Sequence, residues 1–368
     1  MKTRKTLVLV SVLMALMLVF AACSGGSATT EEKKSLNDMT MDEIIAQAKE
    51  EGRIDTVGMP DDWANYGNLF AAVCKEYGLE HTDIDMSSSE QLALFEAEKD
   101  SPTKDMGEVG QQHYKTVMDK GLAQPYKPTT WDSIPDWAKD DDGYWIIAYT
   151  GSIAIIVNTD KVGEAPKTFA DILKGDYMVT IGDPATESSA QNVVLAAAYA
   201  MGGDVNNLQP GIDFFVELAK AGRLDPGSNE MNRLAKGESV CVLHWDYKLI
   251  NYKQQILADD PNMNLEIHVP TDGTVSSGYI TPINAYAPHP AAAALCREWL
   301  FSDEGQNNVA LTGARPVRDV ELSDEAKAVM LPEEEYVNAH PTIEFIDDWI
   351  AASETLGTTW SEQVVPYM

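Results

Sequence analysis

The run Tyr144–Asn158, YWIIAYTGSIAIIVN, constrains the fold more than any other stretch of the chain. Its β-branched and aromatic residues read as strand, yet it is far longer than the usual strand of about 5–6 residues. Such a run fits a segment that passes from one body of the protein to another, with Gly151, between Thr150 and Ser152, marking the bend. A second informative stretch is Ser276–Gln306. It opens as strand or turn at Gly278 and Tyr279, passes Pro288-His289-Pro290, and enters an alanine-rich helix with Leu295, Trp299 and Leu300 at helical spacing. Ser302-Asp303-Glu304-Gly305 ends that helix and caps the next.

Around the long run, strand and helix signals alternate. Arg53–Val57 reads as a strand, Tyr66–Tyr77 as a helix buried through Leu69, Phe70 and Val73, and Glu80–Met86 as a strand. Ser87–Glu90 is a cap for a helix containing Leu92 and Phe95, and Asp105–Val109 is a strand ending at Gly110. Beyond the long run come a strand at Met178–Gly182, helices at Gln191–Met201 and Ile212–Ala221, and strands at Val240–Leu243 and Leu265–Val269. The tail from Ser323 reads as helices anchored by Trp349 and Trp360. Alternation of this kind predicts parallel pairing, with ligand loops gathered at the C-terminal ends of the strands.

The N-terminus reads as a targeting segment. Lys2, Arg4 and Lys5 precede an apolar stretch from Leu7 to Phe20, and Ala21-Ala22-Cys23 follows. Residues 1–22 look like a lipoprotein signal peptide with Cys23 as the lipid attachment point, although Phe20 stands where the pattern prefers Leu. Residues 23–38 then read as a flexible tether. The formal net charge is −31 and becomes more negative once the signal is removed. This argues against nucleic acid and anionic membrane surfaces as partners. Cys74, Cys241 and Cys296 are far apart among apolar residues and are expected to be buried, with neither metal nor disulfide spacing.

Several segments together resemble extracellular solute-binding proteins of ABC importers, in the group that takes iron, thiamine, polyamines and phosphonates. TGSIAIIVNTDKV…PKTFADIL is similar to the crossing strand and first second-lobe helix. GDPATESSAQN stands at the Ser/Thr-rich ligand loop, GESVCVLHWDYKLINYK at a ligand-facing segment, and SDEGQ and GARPVRDVEL at the returns between lobes. The resemblance implies an α/β, two-lobed periplasmic-binding-protein (type II) fold, each lobe a mixed sheet flanked by helices, with a cleft between. Lobe 1 would hold residues 39–150 and 278–312, and lobe 2 residues 151–277 and 313–368. It also implies a small-molecule ligand, an ABC permease and ATPase as partners, a monomer held to the membrane by its N-terminal lipid, and no cofactor.

No catalytic motif is present: there is no G-x-S-x-G elbow, no P-loop and no H-E-x-x-H, and the six histidines are scattered. An enzyme and a metal site are therefore not expected. The candidate ligand contacts sit at strand ends. Trp63 can stack on a flat or cationic group. Ser88, Ser188 and Ser189 open helices whose free N–H groups suit an anion, or simply cap them. Gln111 can hydrogen-bond a polar solute, and Tyr149 would face the cleft under the family geometry. Trp245, Asp246 and Tyr247 can enclose a cation or pack as core, and Tyr279 completes the set. The aromatics and Asp246 favour a polyamine- or thiamine-like cation, the serines favour a phosphonate or phosphate ester, and a zwitterion would satisfy both. The adjacent tyrosine pair of ferric-binding relatives is missing, which counts against iron, and a ferric ion held by separated tyrosines such as Tyr247, Tyr252 and Tyr279 stays an alternative. A sensory module without transport is the alternative use of the same fold.

Overall fold

A computed structural model describes residues 34–368. The expected signal peptide, Cys23 and most of the tether lie outside the described residues. The end of the tether is folded: Leu36–Asp38 forms a 3-10 turn with Leu36 buried, and Asn37 Oδ1 accepts from the Lys127 N–H at 2.8 Å. Among the described residues, no helix is long and apolar enough to cross a membrane.

Two sheets build the two lobes. The lobe 1 sheet comprises β1 (Arg53–Val57), β2 (Glu80–Ile84), β3 (Met106–Gly107), β5 (Ala123–Gln124) and β11 (Ile283–Asn284), in the order β2-β1-β3-β11-β5. Its first three strands are parallel and β11 runs against them, so alternation gives a mixed sheet. The second sheet has the order β13-β10-β6-β8-β7. These are β6 (Ile147–Asn158), β7 (Val179–Thr180), β8 (Cys241–Trp245), β10 (Thr274–Ile280) and β13 (Ala339–Pro341). The short β4 (Val109–Gly110) joins β10, while β9 (Leu265–His268) and β12 (Arg315–Pro316) join β6.

β6 is one unbroken strand, buried along nearly its whole length. Its first residues pair with β10 and β12, and its second half pairs with β8 and β9. Gly151 does not bend it. An added Cβ there would stand 2.5 Å from the Tyr247 ring and 2.8 Å from Asp246 Oδ1, so glycine admits those side chains.

The principal helices are α1 (Met41–Glu51), α2 (Tyr66–Tyr77), α3 (Ser88–Ala97), α4 (Ser188–Ala200), α5 (Gln209–Lys220), α6 (Asp246–Asp259), α7 (Pro290–Leu300), α8 (Asp303–Ala310) and α9 (Ile346–Gln363). The alanines of α7 allow it to lie close against α1, where the Glu51 carboxylate accepts from the N–H groups of Ala291 and Ala292 at 3.2 and 2.8 Å. A carboxylate at that end also answers the helix dipole. Ser302 caps α8 through Gly305 N–H at 3.0 Å. Trp349 and Trp360 of α9 are buried, as are Cys241 and Cys296, whereas Cys74 is only half-buried.

Candidate functional site

The lobes enclose a cavity of about 510 Å³. Lobe 1 supplies Asp62 and Trp63 after β1, Asp85 to Ser88, Glu90 and Gln91 around the start of α3, and Glu108. Lobe 2 supplies Thr186 to Ser189 at the start of α4, Ser228 to Asn232, and Lys248 and Tyr252 of α6, with His244 of β8. Tyr279 enters from β10 of the second sheet, although the sequence expectation gave residues 278–312 to lobe 1. The lobe 1 loops follow the C-terminal ends of parallel strands, where backbone and side-chain groups are left free for a ligand.

Contacts cross between the lobes. The Ser188 hydroxyl donates to Ser88 Oγ at 3.1 Å, and Gln112 Nε2 donates to Gln191 Oε1 at 3.1 Å. Lys248 Nζ reaches Asp62 Oδ2 at 2.9 Å, and Asn251 Nδ2 reaches the Asp62 carbonyl at 2.6 Å. Gly110 makes the serine contact possible, since a Cβ there would meet Ser188 Oγ at 2.5 Å.

Trp63 is the aromatic hub. Its ring lies edge-on to Tyr279, Tyr247 and His244 at 5.2, 5.5 and 5.8 Å, and its Nε1–H donates to the Tyr149 hydroxyl at 2.7 Å. Tyr149 in turn donates to Glu108 Oε1 at 2.8 Å, and Tyr66 donates to the same oxygen. Glu108 stands where the chain leaves the lobe 1 sheet at β3 and joins β10 through β4. Burial pushes its carboxyl up to about 8, with the two phenols offsetting part of the cost. Burial likewise raises Asp85 and Glu187, and it pushes His244 down to about 3.

The lining is acidic. Asp62, Asp85, Glu90, Glu108, Glu187 and Glu230 face one basic residue, Lys248, which is paired with Asp62. The helix N-termini already have carboxylates beside them. Glu90 accepts from Ser87 N–H at 2.9 Å, and Glu187, at the α4 cap, accepts from Asp183 N–H at 3.2 Å. An anion entering there would meet these charges.

Of the residues expected from sequence, Trp63, Ser88, Ser188, Ser189 and Tyr279 line the cavity, while Gln111, Tyr149, Trp245, Asp246 and Tyr247 do not. Tyr149 and Tyr247 pack behind Trp63, and Trp245 Nε1–H donates to the Tyr279 hydroxyl at 3.0 Å. Asp246 is wholly buried beside β6. It accepts from Ser152 and Tyr247 N–H at 3.1 and 2.8 Å and from the Tyr336 hydroxyl at 2.6 Å, with Arg315 at 3.5 Å. Gln111 bridges Thr342 and Gly278. Sequence reasoning passed over Glu108 and Lys248. Asp85, at the end of β2, was marked by its strand-end position, whereas Glu108 lay inside the expected strand Asp105–Val109 and carried no such signal.

Residues 101–341 match the family described as bacterial extracellular solute-binding protein. No curated protein matches the chain. Among solved structures, the periplasmic binding protein AfuA from Actinobacillus pleuropneumoniae, with exogenous fructose-6-phosphate bound, aligns with a TM-score of 0.69 at 17% identity, covering 85% of this chain and 98% of that one. Iron-bound HitA from Pseudomonas aeruginosa gives 0.63 at 16% identity, covering 83% and 99%. MotA from A. tumefaciens B6, in complex with glucopine, gives 0.65 at 16% identity, covering 85% and 99%. At these identities the structural likeness is one of fold, that of type II periplasmic binding proteins, and it agrees with the family match. The chain belongs to the bacterial extracellular solute-binding protein family.

Proposed function

We propose that this protein is the substrate-binding component of an ABC importer, held at the membrane by lipid on Cys23, and that its interlobe cleft captures a small polar cation or zwitterion. The acidic cleft carries this reading: six carboxyls line it against one lysine that is already paired. Trp63 and Tyr279 line the cleft as aromatic partners for a cationic group, and Ser88, Ser188 and Ser189 offer hydroxyls to a polar one. Tyr149, Trp245 and Tyr247 hold the aromatic wall from behind, and Asp246 and Gln111 tie β6 and β10 to the chain around Tyr336 and Thr342. A solute touching both lobes stabilises the closed form and so marks the loaded protein for the permease.

A phosphate or phosphonate ester is the second reading, favoured by the convergence of two helix N-termini at Ser88 and Ser188. Thermal-shift measurements with spermidine, thiamine, aminoethylphosphonate, fructose 6-phosphate and ferric citrate separate the two. A ligand at a hundredfold over its dissociation constant adds about 2.7 kcal/mol to the folded state. Stabilisation by the cations supports the first reading. Stabilisation by the phosphate ester alone replaces it with the second.

A further inference from the structure

We propose that Glu108 selects the cationic group of the solute, and that this group enters the cleft in exchange for the Glu108 proton. The inference rests on the cation reading above and assigns it a residue and a proton count.

Glu108 is 2% exposed, yet it lines the cavity. Tyr66 and Tyr149 both donate to Oε1, the Trp63 indole adds a weaker favourable interaction with the carboxyl, and among the described residues Oε2 takes no hydrogen bond like those of the phenols. One carboxyl oxygen is therefore held in place by phenols while the other is left for the cavity. No positive charge answers it from the surrounding elements. Tyr66 of α2, Tyr149 of β6, Tyr247 of α6 and Tyr279 of β10 are phenols whose ionisation burial opposes. Asp83 of β2 adds negative charge, and it accepts from Thr56 Oγ1 and Met59 N–H. His244 of β8 is kept neutral by burial, and Lys248 of α6 is engaged with Asp62.

In the solute-free cleft the carboxyl therefore keeps its proton at neutral pH. An ammonium brings the missing charge. In the exchange the neutral carboxylic acid and the incoming alkylammonium become a carboxylate–ammonium ion pair. The carboxyl O–H bond breaks, its proton leaves to water, and no electrons are transferred. The Tyr66 and Tyr149 hydroxyls bond the carboxylate better than the acid, so they favour the ionised product.

Calorimetric titration of the protein with spermidine and with thiamine, in buffers of low and high ionisation enthalpy at pH 6, 7 and 8, counts the protons. The expected result at pH 7 is about one proton released per cation bound, with affinity weakening about tenfold per pH unit on acidification. Glu108→Gln is expected to release none and to lose the pH dependence. If that variant fails to fold, Tyr149→Phe decides: its affinity should level off at a higher pH, since one donor to the carboxylate is gone. Cation binding without proton release, or with release unchanged in Glu108→Gln, overturns the proposal and leaves the cation reading standing. Failure of both cations to bind even at pH 8 overturns both.

Discussion

Lys248 Nζ of the second lobe stands 2.9 Å from Asp62 Oδ2 of the first, so an ion pair in the lining of the acidic cleft bridges the lobes. The same ammonium lies 5.2 Å from the Trp63 ring centre. The lysine side chain is nearly buried while that of Asp62 is 41% exposed, so water screens much of the attraction. Lys248→Met should cost the closed form about 1 kcal/mol, a shift of about fivefold toward open. Solution scattering of the solute-free protein should then show a larger radius of gyration. An unchanged profile would mean that the Asn251–Asp62 and Ser188–Ser88 bonds suffice to hold the lobes together.

Glu108 should also make folding pH-dependent in the absence of any solute. Its folded-state value of about 8 lies above the ordinary carboxyl value near 4.3. Between those values the folded state holds a proton that the unfolded chain has lost, so stability falls as pH rises. The slope is about 1.4 kcal/mol per pH unit. Urea unfolding of wild type and Glu108→Gln at pH 5, 6, 7 and 8 isolates the term, because the other groups cancel in the difference. The wild type should lose ground to the variant steadily across that range, and parallel curves would show that Glu108 is ionised in the fold.

His244 works in the opposite direction. Its Nδ1 accepts the Trp245 N–H at 2.7 Å, and burial holds its folded-state value at about 3 against an ordinary value near 6.5. Below about 6.5 the unfolded chain takes up a proton that the folded state refuses, so stability is lost as pH falls toward 3. His244→Asn should flatten this acid limb relative to wild type, by about 1.4 kcal/mol per pH unit between 4 and 6. Guanidinium or urea midpoints over that range provide the check.

The fold was legible where one segment carries its own signal. Tyr144–Asn158 announces a strand of unusual length, which forms as β6, and Leu295 and Leu300 mark the buried face of α7. The cavity lining was legible only where a residue follows a strand end, as with Trp63 and Ser88. Trp245-Asp246-Tyr247 shows why the rest was hidden. Asp246 ends a strand as a ligand residue would, yet its carboxylate belongs to Tyr336 and Arg315, partners 90 and 69 residues away. Local sequence contains no trace of such pairing. Glu108 was hidden for the converse reason: it reads as one more residue of a strand, and only the handover from β3 to β4 brings it to the cleft.

Gly151→Ala tests the same long-range pairing from the glycine's side. The strand itself would accept alanine, since Gly151 lies in extended β6 and is not among the glycines with positive φ. The obstacle is the space above it. A methyl group would stand 2.5 Å from two carbons of the Tyr247 ring and 2.8 Å from Asp246 Oδ1, inside any real contact distance. Tyr247 packs edge-on against Trp63 and Tyr149, so its ring cannot retreat without disturbing the cleft wall. Asp246 is held by its bonds to Ser152, Tyr247 and Tyr336 and is no freer. Overpacking of this kind costs about 1–3 kcal/mol. Denaturant unfolding should show that loss, and solute affinity should fall with it because Trp63 is displaced. Glycine serving only as a strand bend would predict the reverse, since alanine stiffens an extended segment and would leave stability unchanged or slightly raised.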